Sequence, residues 1–171
     1  MYEWLKLFFN IALLKKGPQD IPYTRGLLFR LILLYSVVSF LVLRINETFS
    51  DSLLQILLGV FLILAFSKVL LFFWGKPERF EQTACALFGV DAVISFLALP
   101  SIATMASGHI TILSLFTLVL FIVWHWLASG HIFRHALSQS LLLGLGVSFL
   151  YLLASYQLVG LLFPEAPPAA F

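Results

Sequence analysis

Long apolar runs alternate with short polar clusters between Leu27 and Phe163. The runs have neither the period-two alternation of a half-buried strand nor the polar face of a soluble helix. A run of about 20 apolar residues crosses the hydrocarbon of a bilayer as a helix. Five runs meet that length, roughly Leu27–Ile45, Leu53–Trp74, Thr83–Ala106, Ile110–Leu127 and Leu137–Phe163. Between them lie NETFSD, GKPERFEQ, SGH and ASGHIFRH, each carrying residues that cap or break helices. The pattern predicts an all-α polytopic membrane protein with five transmembrane helices over residues 27–163 and a short tail at 164–171.

The first twenty residues, MYEWLKLFFNIALLKKGPQD, read differently. Glu3, Lys6 and Asn10 recur at helical spacing and leave Trp4, Leu5, Phe8, Ile11 and Ala12 largely on other faces. This predicts an amphipathic helix over residues 1–16 lying in the inner membrane interface, stopped by Gly17-Pro18, with a linker at 17–26. The paired lysines follow the apolar stretch and no small-residue cleavage site comes after it, which argues against a secretory signal.

Composition agrees with lipid as the solvent. The chain of 171 residues is 61% hydrophobic and 11% charged, against about 25% charged in an average soluble domain. Its net charge of +2 is small and its cations are dispersed, so nucleic acid is not an expected partner. The single Cys85 excludes an intrachain disulfide and a paired-cysteine metal knuckle.

Charge placement gives a direction. Of the ten Lys and Arg residues, Arg44 alone falls on the side of the first polar connection. Lys6, Lys15, Lys16, Arg25, Arg30, Lys68, Lys76, Arg79 and Arg134 fall on the other. Cationic loops stay in the cytoplasm, so a cytoplasmic N-terminus and a periplasmic C-terminus are expected. Glu165 lies in the expected outer tail.

Three constellations are candidates for chemistry. Asp91 sits inside the third run, where an unpaired carboxylate is costly. Counting about 1.5 Å per residue from Thr83 puts it roughly 12 Å deep, and the same count from Trp74 puts Lys68 about 9 Å deep. Neighbouring helices would bring the two together as an intramembrane ion pair, with Ser67 and Ser95 as further hydrogen-bonding groups. Such a pair either fixes helix register or serves as part of a proton or ion relay.

FIVWHWLASGHIFRH holds His125, His131 and His135, with the last two at the four-residue spacing that places two imidazoles on one helix face. A metal needs a third ligand, which His125, Cys85 or Asp91 would have to supply. His109 falls on the opposite side of the membrane, which leaves a bis-histidine haem without matched depths. His125 between Trp124 and Trp126 equally fits an interfacial aromatic belt. No bound cofactor is expected.

Ala136, Ser140, Gly144 and Ser148 recur every four residues, a stripe of small side chains that lets another helix approach closely. The partner is a span of the same chain or a second copy. No nucleotide loop, nucleophile elbow, kinase signature or zinc-protease motif is present, so no enzyme is expected.

GKPERFEQTACALFGVDAVISFLALP, followed by LFIVWHWLASGHIFRHALSQSLLLGLG, resembles the Yip1-domain family. The polar approach to the third span is Lys76, Phe80, Gln82 and Thr83. The resemblance implies five spans, a cytoplasmic N-terminus and a bacterial-type relative in the inner membrane. It further implies membrane organisation or assembly, with the bilayer, other membrane proteins or a second copy as partners, and no defined reaction. The Asp-Leu-Tyr-Gly-Pro motif of eukaryotic members is not in this sequence, so their link to small GTPases does not carry over. The other function consistent with the residues is a small transporter, or an ion- or proton-conducting protein, using Lys68 and Asp91.

Overall fold

The structure is a computed structural model and describes residues 2–108 and 111–163. Six helices account for most of them: α1 (Tyr2–Ala12), α2 (Leu27–Leu43), α3 (Phe49–Phe73), α4 (Phe80–Ala106), α5 (Ile112–Leu137) and α6 (Leu141–Leu162). No strand occurs among the described residues. The helices α3, α4, α5 and α6 are long and apolar enough to cross a membrane, and α2 is a shorter apolar helix of 17 residues. His109, Ile110, Glu165 and the expected tail lie outside the described residues.

Local chemistry sets the helix ends. Thr48 caps α3 by accepting the Asp51 amide at 3.2 Å, and Thr111 and Ser114 cap α5 reciprocally. Ser140 caps α6 by accepting the Leu143 amide at 3.3 Å. At the other end of α5, Lys76 Nζ donates to the Leu137 carbonyl at 2.6 Å. Arg79 Nη1 donates to the carbonyls of His135 and Ala136, each at 3.2 Å. Two cations thus satisfy the carbonyls left unpaired where a helix ends and complement its negative pole.

The helix α4 is the centre of the bundle. Every residue from Thr83 to Val90 is buried, which no amphipathic surface helix allows. It packs against α1, α2, α3 and α5, while α5 and α6 form a closely packed antiparallel hairpin.

Two sequence expectations need correction here. The fourth apolar run does not break at ASGHIFRH, where Gly130 suggests a turn. Instead α5 continues to Leu137, and the turn falls on Ser138, which takes a left-handed φ of 53°. Gly130 is a packing site rather than a break, because a Cβ there would lie 2.6 Å from the Leu145 side chain and 3.1 Å from its Cα. The small-residue stripe is therefore split between two helices. Ala136 belongs to α5, Ser140 is the cap, and Gly144 and Ser148 lie on α6. Their partner is α5 of the same chain: Gly144 faces the Gly130 carbonyl, and the Ser148 hydroxyl donates to the Trp126 carbonyl at 3.1 Å.

The N-terminal helix also differs from expectation. It ends at Ala12, and Phe8, Ile11 and Ala12 are buried against the bundle while Leu5 and Phe9 stay exposed. Phe8 fills the space beside Gly89 on α4, while Glu3 and Lys6 remain exposed. Past Ala12 the chain unwinds through Leu14, with φ 61°. Trp124 Nε1 donates to the Ala12 carbonyl at 2.7 Å, and His131 Nε2 bonds the Lys16 carbonyl at 3.1 Å. The aromatic and imidazole N–H groups of α5 replace the helical bonds that α1 lacks at its end.

Candidate functional site: a carboxylate–imidazole pair under a hydroxyl-lined cavity

Because α5 runs on to Leu137, His125 is deep in the bundle. At about 1.5 Å per residue it lies roughly 18 Å from the end of α5, and Asp91 roughly 17 Å from the start of the antiparallel α4. The two meet. His125 Nε2 is 2.8 Å from Asp91 Oδ1, with the side chains 23% and 22% exposed. The partner of Asp91 is thus an imidazole and not the expected ammonium.

Among the described residues no ion pair joins Lys68 to Asp91, and Lys68 is exposed on the bundle exterior. Helical phase is the reason. The inward positions of α3 include Ser52, Ile56, Ile63, Ser67 and Leu71, and one residue past Ser67 the helix has turned about 100° away from the core. A lysine there extends its stem along lipid toward the interface. The Ser67 hydroxyl is buried and makes no hydrogen bond.

The other histidines do not join the pair. His131 and His135 meet edge to face with ring centroids 4.5 Å apart, near the end of α5. They face the segment after α1, through the Lys16 carbonyl and the Gln19 side chain. Among the described residues no three His, Cys, Asp or Glu side chains converge on a metal-sized site. Cys85 is buried within the core.

One turn along α4 from Asp91, at Ser95, lies a cavity of about 250 Å³ between α2, α3, α4 and α6. Its polar wall consists of Tyr35, Ser39, Gln55, Ser95, Tyr151 and Ser155. Three helices contribute in the same way. Tyr35 and Ser39 are four residues apart on α2, as are Asp91 and Ser95 on α4, and Tyr151 and Ser155 on α6. That spacing stacks each pair on one helix face. At about 30 Å³ per water, the space holds several waters or a small polar solute.

The cavity runs toward Leu43, Gln55 and Val159, at the end of the bundle away from Lys76 and Arg79. On the other side of the tyrosines the core is closed by aromatic packing. Tyr35 meets Phe88 edge-on at 5.2 Å, and Tyr151 meets Phe66 at 5.2 Å and Phe133 at 6.3 Å, measured between ring centroids. Phe88 and Phe133 are fully buried.

Gly59 on α3 makes room for this arrangement, since a Cβ there would run into the Tyr35 hydroxyl. Gly59→Ala should therefore push Tyr35 aside and cost about 1–3 kcal/mol, as overpacking does. Adding Tyr35→Phe removes the clashing oxygen and should recover most of that loss in a thermal-unfolding measurement. A double variant no better than the single one would mean that the ring and not the hydroxyl sets the fit.

Sequence reasoning singled out Asp91 and Ser95 but missed Tyr35, Tyr151 and the pairing role of His125. The legible signal was the polar i, i+4 step repeated in three apolar runs. No family model, curated protein or solved structure matches this chain.

Proposed function

We propose that this is a membrane carrier for protons, or for a small polar solute moved together with them, with Asp91 and His125 as the proton-binding pair and the hydroxyl-lined cavity one helical turn away as the approach to it. The single observation that carries this reading is the 2.8 Å contact between a carboxylate and an imidazole at mid-bundle depth. Ionisable groups held inside membrane helices are costly and mark ion and proton paths. The hydroxyls above them supply the hydrogen-bonding groups that a proton or a polar solute needs on its way in. In this reading α2 crosses the bilayer together with the four longer helices. The end of the bundle bearing Lys76, Arg79 and Arg134 faces the cytoplasm of a bacterial inner membrane, and the cavity opens to the periplasm.

The test is flux. Protein reconstituted into liposomes with a trapped pH dye should dissipate an imposed proton gradient faster than empty liposomes do. Asp91→Asn, which keeps shape and a hydrogen bond but not the titrating group, should lose most of that flux. Equal rates for wild type, Asp91→Asn and empty liposomes would overturn the proposal.

A second reading, membrane organisation or assembly of Yip1-like type, draws on a different surface. Leu5, Phe9, Leu34, Val37, Phe96 and Leu97 wall an apolar groove of about 700 Å³ between α1, α2 and α4. An open apolar groove of that size suits a neighbouring helix or lipid chain. A native-membrane pull-down that returns one defined partner, together with absent flux, would favour this reading.

A further inference from the structure

A second cavity lies at the opposite end of the bundle, where α4 begins and α5 ends. It measures about 280 Å³ and is lined by the side chains of Gln19, Arg79, Gln82, Thr83, His135 and Ser138, among others. We infer that this cavity takes a phosphate group, supplied in the membrane by the headgroup of an anionic lipid.

The donors point to this chemistry. Arg79 uses Nη1 on the end of α5 and on the Ser138 hydroxyl, at 2.6 Å. Its Nε is 3.9 Å from Glu78 Oε1, too far for a hydrogen bond. Nη2 has no hydrogen-bond partner among the described residues. The Nε and Nη2 edge of the guanidinium thus makes only a loose ion pair with the exposed Glu78, which an anion can displace, and a guanidinium edge matches two phosphate oxygens at once. The Gln19 amide lies 3.4 Å from His135 Nδ1, which leaves the other ring nitrogen, Nε2, without a hydrogen-bond partner among the described residues.

No carboxylate lines the space. Asp20, the nearest on the chain, is turned away to accept the Gly17 amide at 2.8 Å, and the Glu78 side chain is 66% exposed. The position selects the source. The helices α4 and α5 have 27 and 26 residues, about 40 Å at 1.5 Å per residue. They overreach a hydrocarbon core of about 30 Å, so their ends stand among headgroups. Lys15, Lys16, Lys76 and Arg134 belong to this same end, and basic pockets between helices on such a face suit anionic lipid headgroups.

The experiment uses the whole chain in nanodiscs of phosphatidylglycerol and phosphatidylcholine in equal parts. Lipid retained after release into mild detergent is counted by native mass spectrometry. Wild type should retain phosphatidylglycerol in preference to phosphatidylcholine. Gln19→Glu places a carboxylate at the rim without touching the bonds of Arg79, and should lower that preference at least about fivefold, the scale of one charge-assisted hydrogen bond. Arg79→Gln should do the same. Arg44→Gln, on the far end of the bundle, should not. Inorganic phosphate is titrated separately against thermal stability. A rise in wild type that Gln19→Glu abolishes, with no lipid preference, would keep the phosphate site and assign it to free phosphate. No lipid preference and no response to phosphate, or a Gln19→Glu variant that retains lipid like wild type, overturns the inference.

Discussion

Removing the His125 imidazole is expected to destabilise the bundle by about 3 kcal/mol, whereas removing the Lys68 ammonium should leave stability within about 0.5 kcal/mol. Both are cations or potential cations on helices next to or near α4, and the sequence favours the wrong one. His125 holds Asp91 at 2.8 Å, and deleting one partner of a buried pair leaves the other desolvated and alone. The usual cost of about 3–5 kcal/mol applies at its lower end, because each side chain keeps roughly a fifth of its surface exposed. Lys68 faces outward and loses only a stem lying along lipid. Replacing Asp91 by Leu and His125 by Met together should return much of the stability lost in His125→Ala. Thermal unfolding in detergent across the double-mutant cycle measures the coupling. Additive single effects would dismiss the pair as an energetic unit. A double variant that is stable yet without flux would separate the pair's role in function from its role in folding.

The second large effect is expected at the α5–α6 contact. Gly144→Ala should destabilise by about 1–3 kcal/mol or more, while Gly146→Ala, two residues on, should be neutral or slightly stabilising. At Gly144 a Cβ would meet the Gly130 carbonyl oxygen, and it would lie 2.9 Å from the Arg134 amide nitrogen. These are backbone atoms and cannot rotate away, so the helices must separate. At Gly146 nothing lies within 4 Å of an added Cβ, and removing a flexible glycine from a helix interior gains about 0.5–1 kcal/mol. The signs therefore differ. Equal behaviour of the two alanine variants in thermal unfolding would mean that the close approach of these helices does not limit stability.

Helix class, the long apolar helices and most of their polar breaks were legible because a bilayer imposes a length and a composition on what crosses it. The boundary between α5 and α6 was not. Gly130 flanked by serine and histidine looks like a turn, yet its missing side chain serves contact with Leu145 while the helix continues. That one misplacement had a chain of effects. It put His125 at the interface instead of mid-bundle, hid it as the partner of Asp91, and made Lys68 the available cation. It also read Ala136 and Ser140 as part of one helix with Gly144 and Ser148. The cavity was harder still. Tyr35 and Tyr151 are single polar groups in apolar runs, and their convergence depends on the relative rotation of α2 and α6, which periodicity alone does not encode.

The docking of the N-terminal helix imposes an order on biosynthesis. Its end is held by Trp124, 112 residues further along the chain. At about 5–20 residues per second, the ribosome makes that residue roughly 5–20 s after Ala12. During that interval α1 and then α4 have been made, but the α5 residue that holds the end of α1 has not. A segment bearing Glu3, Lys6 and Asn10 on one side and Phe8 and Ile11 on another is suited to wait at the membrane surface. Its amphipathic pattern thus describes the nascent chain as much as the finished one, and the bond from Trp124 to the Ala12 carbonyl belongs to a later stage of assembly than the contact of Phe8 with α4.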